Sequence, residues 1–83
     1  MPYITKEARE RINKVVNRAV LQGMTANGEL NYFLFKLCKT IVIPSYNNYK
    51  NYIGEIEECI AEIRRRLLAP YEDEKCRTNG DIE

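Results

Sequence analysis

Tyr49, Ile53, Ile56, Ile60, Ile63 and Leu67 recur in steps that alternate four and three residues. A 3.5-residue apolar period marks a helix whose seam is built to meet other helices. In a chain of 83 residues one such helix constrains the architecture more than any other feature. It places these six residues at a helix–helix interface and says nothing about chemistry.

The length explains why that interface matters. Below roughly 80 residues a single core rarely supplies more than about 3–5 kcal/mol, and a chain this short buries only about 60–65% of its unfolded surface. Small domains make up the difference with metal, disulfides or self-association. The sequence has no His, and its three Cys (Cys38, Cys59, Cys76) form no CxxC pair, so neither a metal site nor a redox motif is expected. An odd number of Cys spread this widely suits free thiols in a reducing cytoplasm. Self-association is the remaining stabiliser, and the expected assembly is a symmetric helical oligomer.

Three helices are expected in a single domain over 1–83: residues 6–22, 28–42 and 47–69, followed by a polar tail over 72–83. In the first, Ala8, Ile12, Val15, Val16, Ala19 and Val20 share one face, with Thr5 as N-cap and Gly23 as terminator. Thr25 is a candidate cap for the second. That helix is apolar over much of its surface, with Leu30, Phe33, Leu34, Leu37, Cys38, Ile41 and Val42 widened by Tyr32 and Phe35. Pro44 ends it. In the third, Glu55, Glu57 and Glu58 come early and Arg64, Arg65 and Arg66 late, which complements the helix dipole. Gly54 interrupts it at a cost of about 1 kcal/mol relative to Ala and reads as room for close helix approach. Pro70 is expected to stop it. The class is all-α: a small three-helix domain with one long C-terminal helix.

Several functions are disfavoured. The opening Met1-Pro2-Tyr3-Ile4-Thr5-Lys6-Glu7 turns charged at once, unlike a secretory leader, and no apolar run approaches the roughly 20 residues of a membrane span. A cytoplasmic protein is expected. Without His, neither a Ser–His nor a Cys–His pair can form. Adjacent carboxylates such as Glu57 and Glu58 do not face each other on a helix, and no Gly-rich phosphate loop is present. No enzyme activity, catalytic residue, cofactor or metal is therefore expected. The net charge of +1 argues against a duplex binder, which shows a basic stripe and a high pI. The basic first helix, with five Lys/Arg against two Glu over residues 6–18, keeps a small nucleic-acid-binding regulator as the weakest alternative.

The strongest local charge is Arg64-Arg65-Arg66. Its plain reading is a cluster near a helix C-terminus, paired with Glu62 and the tail. Its sharper reading is an anion site, since Arg forks suit phosphate and carboxylate. Asn31, Tyr32 and Tyr71 set polar groups beside helix ends. They read as caps and tail anchors, or as members of the same ligand site, where a Tyr stacks on a base. Tyr46, Tyr49 and Tyr52, interleaved with Asn47, Asn48 and Asn51, form an adaptable contact surface, or the edge of a core.

Two segments carry a resemblance. Gly28-Glu29-Leu30-Asn31-Tyr32, and Ala69-Pro70-Tyr71-Glu72-Asp73-Glu74-Lys75 followed by Asn79-Gly80-Asp81, resemble a family of short helical proteins of unknown function found in phages, prophages and their hosts. Met1-Pro2-Tyr3-Ile4 and the residues Ile53-Gly54, Glu57, Glu62 and Arg65-Arg66 also fit its pattern, whereas Lys39–Tyr52 departs from it. The resemblance implies a setting of phage–host conflict or phage housekeeping, with no mechanism attached. Chemistry and setting together lead to a non-enzymatic binding protein that sequesters a small anionic, nucleotide-derived defence signal between protomers. Arg65, Arg66, Asn31, Tyr32 and Tyr71 would be its ligand residues. The alternative is a protein–protein module that inhibits or assembles a host or phage protein.

Overall fold

The structure, a computed structural model, describes residues 4–80. Residues 1–3 of the opening motif, and Asp81 with the end of the expected tail, lie outside them. The described residues are helical throughout their regular structure, with no strand. The elements are α1 (Lys6–Leu21), α2 (Gly28–Ile41), α3 (Tyr46–Ile63), a π-helical turn (Arg64–Leu68) and α4 (Ala69–Asn79). They form two compact units, one built from α1 and α2 and the other from the helical run 46–79.

In the first unit, local chemistry sets both ends of α1. Thr5 is extended (φ −66°, ψ 162°), and its hydroxyl accepts the Ala8 N–H at 3.1 Å. At the other end Gly23 takes φ +70°. Its N–H donates to the Val20 carbonyl at 3.0 Å, and the Met24 N–H reaches back to Ala19 at 3.1 Å. These two bonds make a Schellman stop, which requires the left-handed conformation that Gly adopts without strain. The helix ends one residue before the expected Gln22.

The start of α2 differs from expectation. Asn27, not Thr25, is the N-cap, and its side-chain oxygen accepts the Glu29 N–H at 3.3 Å. Thr25 supports that cap from two residues away. Its hydroxyl lies 2.6 Å from the Asn27 oxygen and 3.0 Å from Glu29 Oε1, and its N–H donates to the same carboxylate at 2.8 Å. These bonds hold the Glu29 carboxyl below its ordinary value, the Thr25 backbone N–H contributing most. At the far end Val42 is extended (φ −94°, ψ 123°). Pro44 disfavours helical geometry in the residue before it, so α2 stops at Ile41 rather than at Val42.

The second unit departs furthest from the sequence expectation. Pro70 does not end the helix, and residues 72–79 are helical rather than an extended tail. In an unbroken α-helix the N–H of residue 70 would bond the carbonyl of residue 66, but proline has no N–H and its ring crowds that carbonyl. The backbone widens instead. The Ala69 N–H bonds the Arg64 carbonyl, five residues back. This π turn takes in one extra residue and lets Pro70 sit in the first turn of α4, where a missing N–H costs little.

No described residue is buried. Large apolar side chains stand exposed on α1 (Val16, Val20), α2 (Phe35, Ile41) and α3 (Ile53, Ile60). Gly54 has no close neighbour either: an added Cβ would meet nothing within 4 Å.

Candidate functional site

Two places gather the features that a site requires. The first lies on the long helix, around the π turn. The turn spans Arg64–Leu68, so the three arginines expected from sequence occupy its first half. A π turn uses more residues per turn than an α-helix, so successive side chains fan through less than the α-helical 100°. The same run of Arg therefore presents its charge over a narrower arc. π turns are frequent at functional sites.

Glu62 anchors the cluster. Its side chain is 14% exposed, against 69% for Arg65 and 58% for Arg66. Arg65 donates to Glu62 Oε1 through Nη2, and Arg66 Nη1 stands 3.5 Å from Oε2. The Arg65 hydrogen bond holds the Glu62 carboxyl below its ordinary value, against the opposite push of partial desolvation. One carboxylate steadies two outward-facing guanidinium groups, so the cluster keeps a net positive charge. One turn further on, Tyr71 is exposed and carries Lys75 over its ring, 5.6 Å from the centroid. Lys50 stands similarly over Tyr46 at 5.8 Å.

The second place belongs to the α1–α2 unit. The two helices line a groove of about 710 Å³. Val15, Ala19, Met24, Phe33 and Leu37 supply its apolar lining, and Arg18, Gln22, Glu29, Lys36 and Thr40 its polar members. Tyr32 also lines it. Asn31 lies one residue before, exposed, with its N–H on the Asn27 carbonyl at 3.2 Å. Sequence reasoning identified these apolar faces but not the open groove. Periodicity shows which face of a helix is apolar and leaves open whether two such faces meet.

The proposed ligand residues thus fall on both units. Arg65, Arg66 and Tyr71 are on the long helix; Asn31 and Tyr32 are on the α1–α2 unit. Of the interface residues, Ile56 is half-buried and Tyr49, Ile53, Ile60, Ile63 and Leu67 are exposed. The π turn delays the helical phase after Ile63, so Leu67 stands off the line of the other five. Among the described residues no group of three or more Cys, Asp or Glu is placed to hold a metal ion, and no helix is long and apolar enough to cross a membrane.

A family model described as a domain of unknown function (DUF6899) matches residues 1–82. Neither the curated proteins nor the solved structures give a match.

Proposed function

The chain belongs to the DUF6899 family, and from that footing we propose that it is a non-enzymatic, self-associating binding protein of phage type. In this reading it sequesters a small anionic, nucleotide-derived host defence signal between protomers. The observation that carries it is the π turn at Arg64–Leu68 with its arginines exposed and steadied by a single carboxylate. A guanidinium fork grips phosphate through paired charge-assisted hydrogen bonds. Two forks on a local distortion would clamp phosphate, and the exposed ring of Tyr71, further along the same helical run, offers a face for a base to stack on. Asn31 and Tyr32, which belong to the α1–α2 unit, are the further ligand residues of this reading. With no His and no nucleophile–base pair in the sequence, binding is favoured over turnover.

The test is native mass spectrometry after incubation with cell extract, on the parent chain and on Arg65→Ala and Arg66→Ala. The expected result is a retained small molecule absorbing as a nucleobase, with retention reduced at least tenfold in both variants while helicity stays unchanged. Exposed ion pairs contribute about 0–1 kcal/mol to stability, and both arginine side chains are exposed, so the variants should fold. Equal retention by both variants, or no retained mass at all, sinks the anion site. A retained protein in its place establishes the interaction module, which the exposed Tyr46 and Tyr49 favour as the second reading.

A further inference from the structure

The unbroken helical run from Tyr46 to Asn79 carries charge in blocks of alternating sign. Lys50 comes first, followed by Glu55, Glu57, Glu58 and Glu62. Arg64, Arg65 and Arg66 come next, and Glu72, Asp73 and Glu74 lie beyond Pro70. Reversing the run about Ala61 lays each of these blocks on one of opposite sign. We propose that the run pairs antiparallel with the same run of a second copy, the twofold axis crossing at Ala61.

Two charges fix the register. Glu57 and Arg64 are seven residues apart and so share one flank of the stripe through Ile53, Ile56, Ile60 and Ile63. Arg64 is the first residue of the π turn, so α3 still sets its direction. On a helix the side chains that can meet lie three and four residues away. For Glu57 these are Ile53, Gly54, Ile60 and Ala61; for Arg64 they are Ile60, Ala61, Leu67 and Leu68. Neither charge has an ionic partner at helical spacing. By contrast Glu62 pairs with Arg65 and Arg66, and Arg77 lies 2.7 Å from Glu74. With the axis at Ala61, Glu57 of each copy meets Arg64 of the other, and Ile60 packs beside Ile63. Arg65 and Arg66 keep their own Glu62. The route past Pro70 supplies the length. The run continues to Asn79 and is about 51 Å long at 1.5 Å per residue, with Ala61 near its middle. Reversed copies therefore overlap along nearly all of it, and Lys50 of one stands opposite Glu72 of the other. A helix ending at Ala69 would leave Lys50 facing no acidic block. Parallel copies in register would set each block on its own sign, which repels. The match is that of the run to its own reverse, so no other part of the same chain can supply it. The contact is isologous and closes as a dimer.

This inference rests on the self-association in the proposed function and not on its ligand. The test uses full chains carrying Glu57→Arg or Arg64→Glu, prepared separately. In either variant alone, both contacts of the pair set like charges together. Self-association should weaken at least tenfold by analytical sedimentation. Mixed in equal amounts, the two variants restore opposite charges at both contacts. Sedimentation should return to the parent's affinity, and native mass spectrometry should find the mixed dimer as the main species. The double variant Glu57→Arg/Arg64→Glu should likewise self-associate as the parent does. A contact within one chain cannot be repaired by mixing, and recovery is expected even where a single variant unfolds alone. A mixture that forms no mixed dimer, or a double variant no better than the single ones, overturns the pairing. A parent oligomer that both substitutions leave unchanged overturns the pairing alone and keeps self-association. A parent that sediments as a folded monomer overturns both.

Discussion

At the scale of single residues, a network of side-chain hydrogen bonds fixes the start of α2. Asn27 accepts the Glu29 N–H, and Glu29 in return accepts from Thr25. Losing a side-chain N-cap costs about 1 kcal/mol. Asn27→Ala should lower stability by about that amount in urea unfolding followed by circular dichroism, and Asn27→Gly by much less. An unchanged midpoint for the Ala variant would remove Asn27 as the cap. Glu29 and Glu62 both sit below the ordinary carboxylate value of 4.5 in the folded chain. A group with a depressed folded pKa stabilises fully above its unfolded value, and that contribution is lost as pH falls through the folded value. Helicity should therefore hold down to about pH 4.5 and weaken below it. Glu29→Gln and Glu62→Gln should each flatten the acid limb of the titration. A parent profile that both substitutions leave unaltered contradicts the assigned hydrogen bonds.

At the scale of elements, the long helix is governed by Pro70. Proline removes one backbone donor, and the chain answers with a π turn instead of a stop. Pro70→Ala restores the donor and should let the turn relax to a plain α-helix, at equal or higher helicity. The arginines would then spread over a wider arc and lose their phase relation to Tyr71. The expected consequence is a several-fold loss in retention of the anionic ligand with no loss of fold. The readout is amide exchange at Ala69 together with native mass spectrometry. Unchanged exchange at Ala69 would show that something other than Pro70 maintains the turn. The same element shows why the expectation of a helix ending at Ala69 failed. Pro70 near the polar run Glu72–Lys75 has the local pattern of a stop followed by a tail. Nothing in residue type alone separates that from a π turn followed by another helix.

At the scale of the whole molecule, the central fact is that no described residue is buried. Conformational entropy opposes folding by about 1–2 kcal/mol per residue, and only burial offsets a sum of that size. In the function proposed above, a second copy supplies further apolar contact. Ile60→Asp places a charge at the centre of the α3 stripe and should dissociate the assembly or unfold the chain. Analytical sedimentation with circular dichroism separates the two outcomes. A variant that keeps both the parent's mass and its helicity would exclude Ile60 from any interface.

Much of this structure was legible in the order of residues, and the part that was not has a clear physical cause. Thr5 and Gly23 bound α1, and Pro44 limits α2, because caps and stops act within four or five residues of themselves. The period from Tyr49 to Ile63 is likewise local, as is the crowding of positive charge at Arg64–Arg66. These features define an all-helical chain with a cationic stretch and apolar faces on α1, α2 and α3. The route around Pro70 was not legible, because a helix blocked at one donor has two solutions. It can stop or widen, and the choice depends on how much helix beyond the block is worth keeping. The groove between α1 and α2 was hidden for a related reason. Val15 and Phe33 have the same apolar character whether their helices close on each other or stand apart. That separation comes from backbone placement, and only in three dimensions does the unfilled space appear.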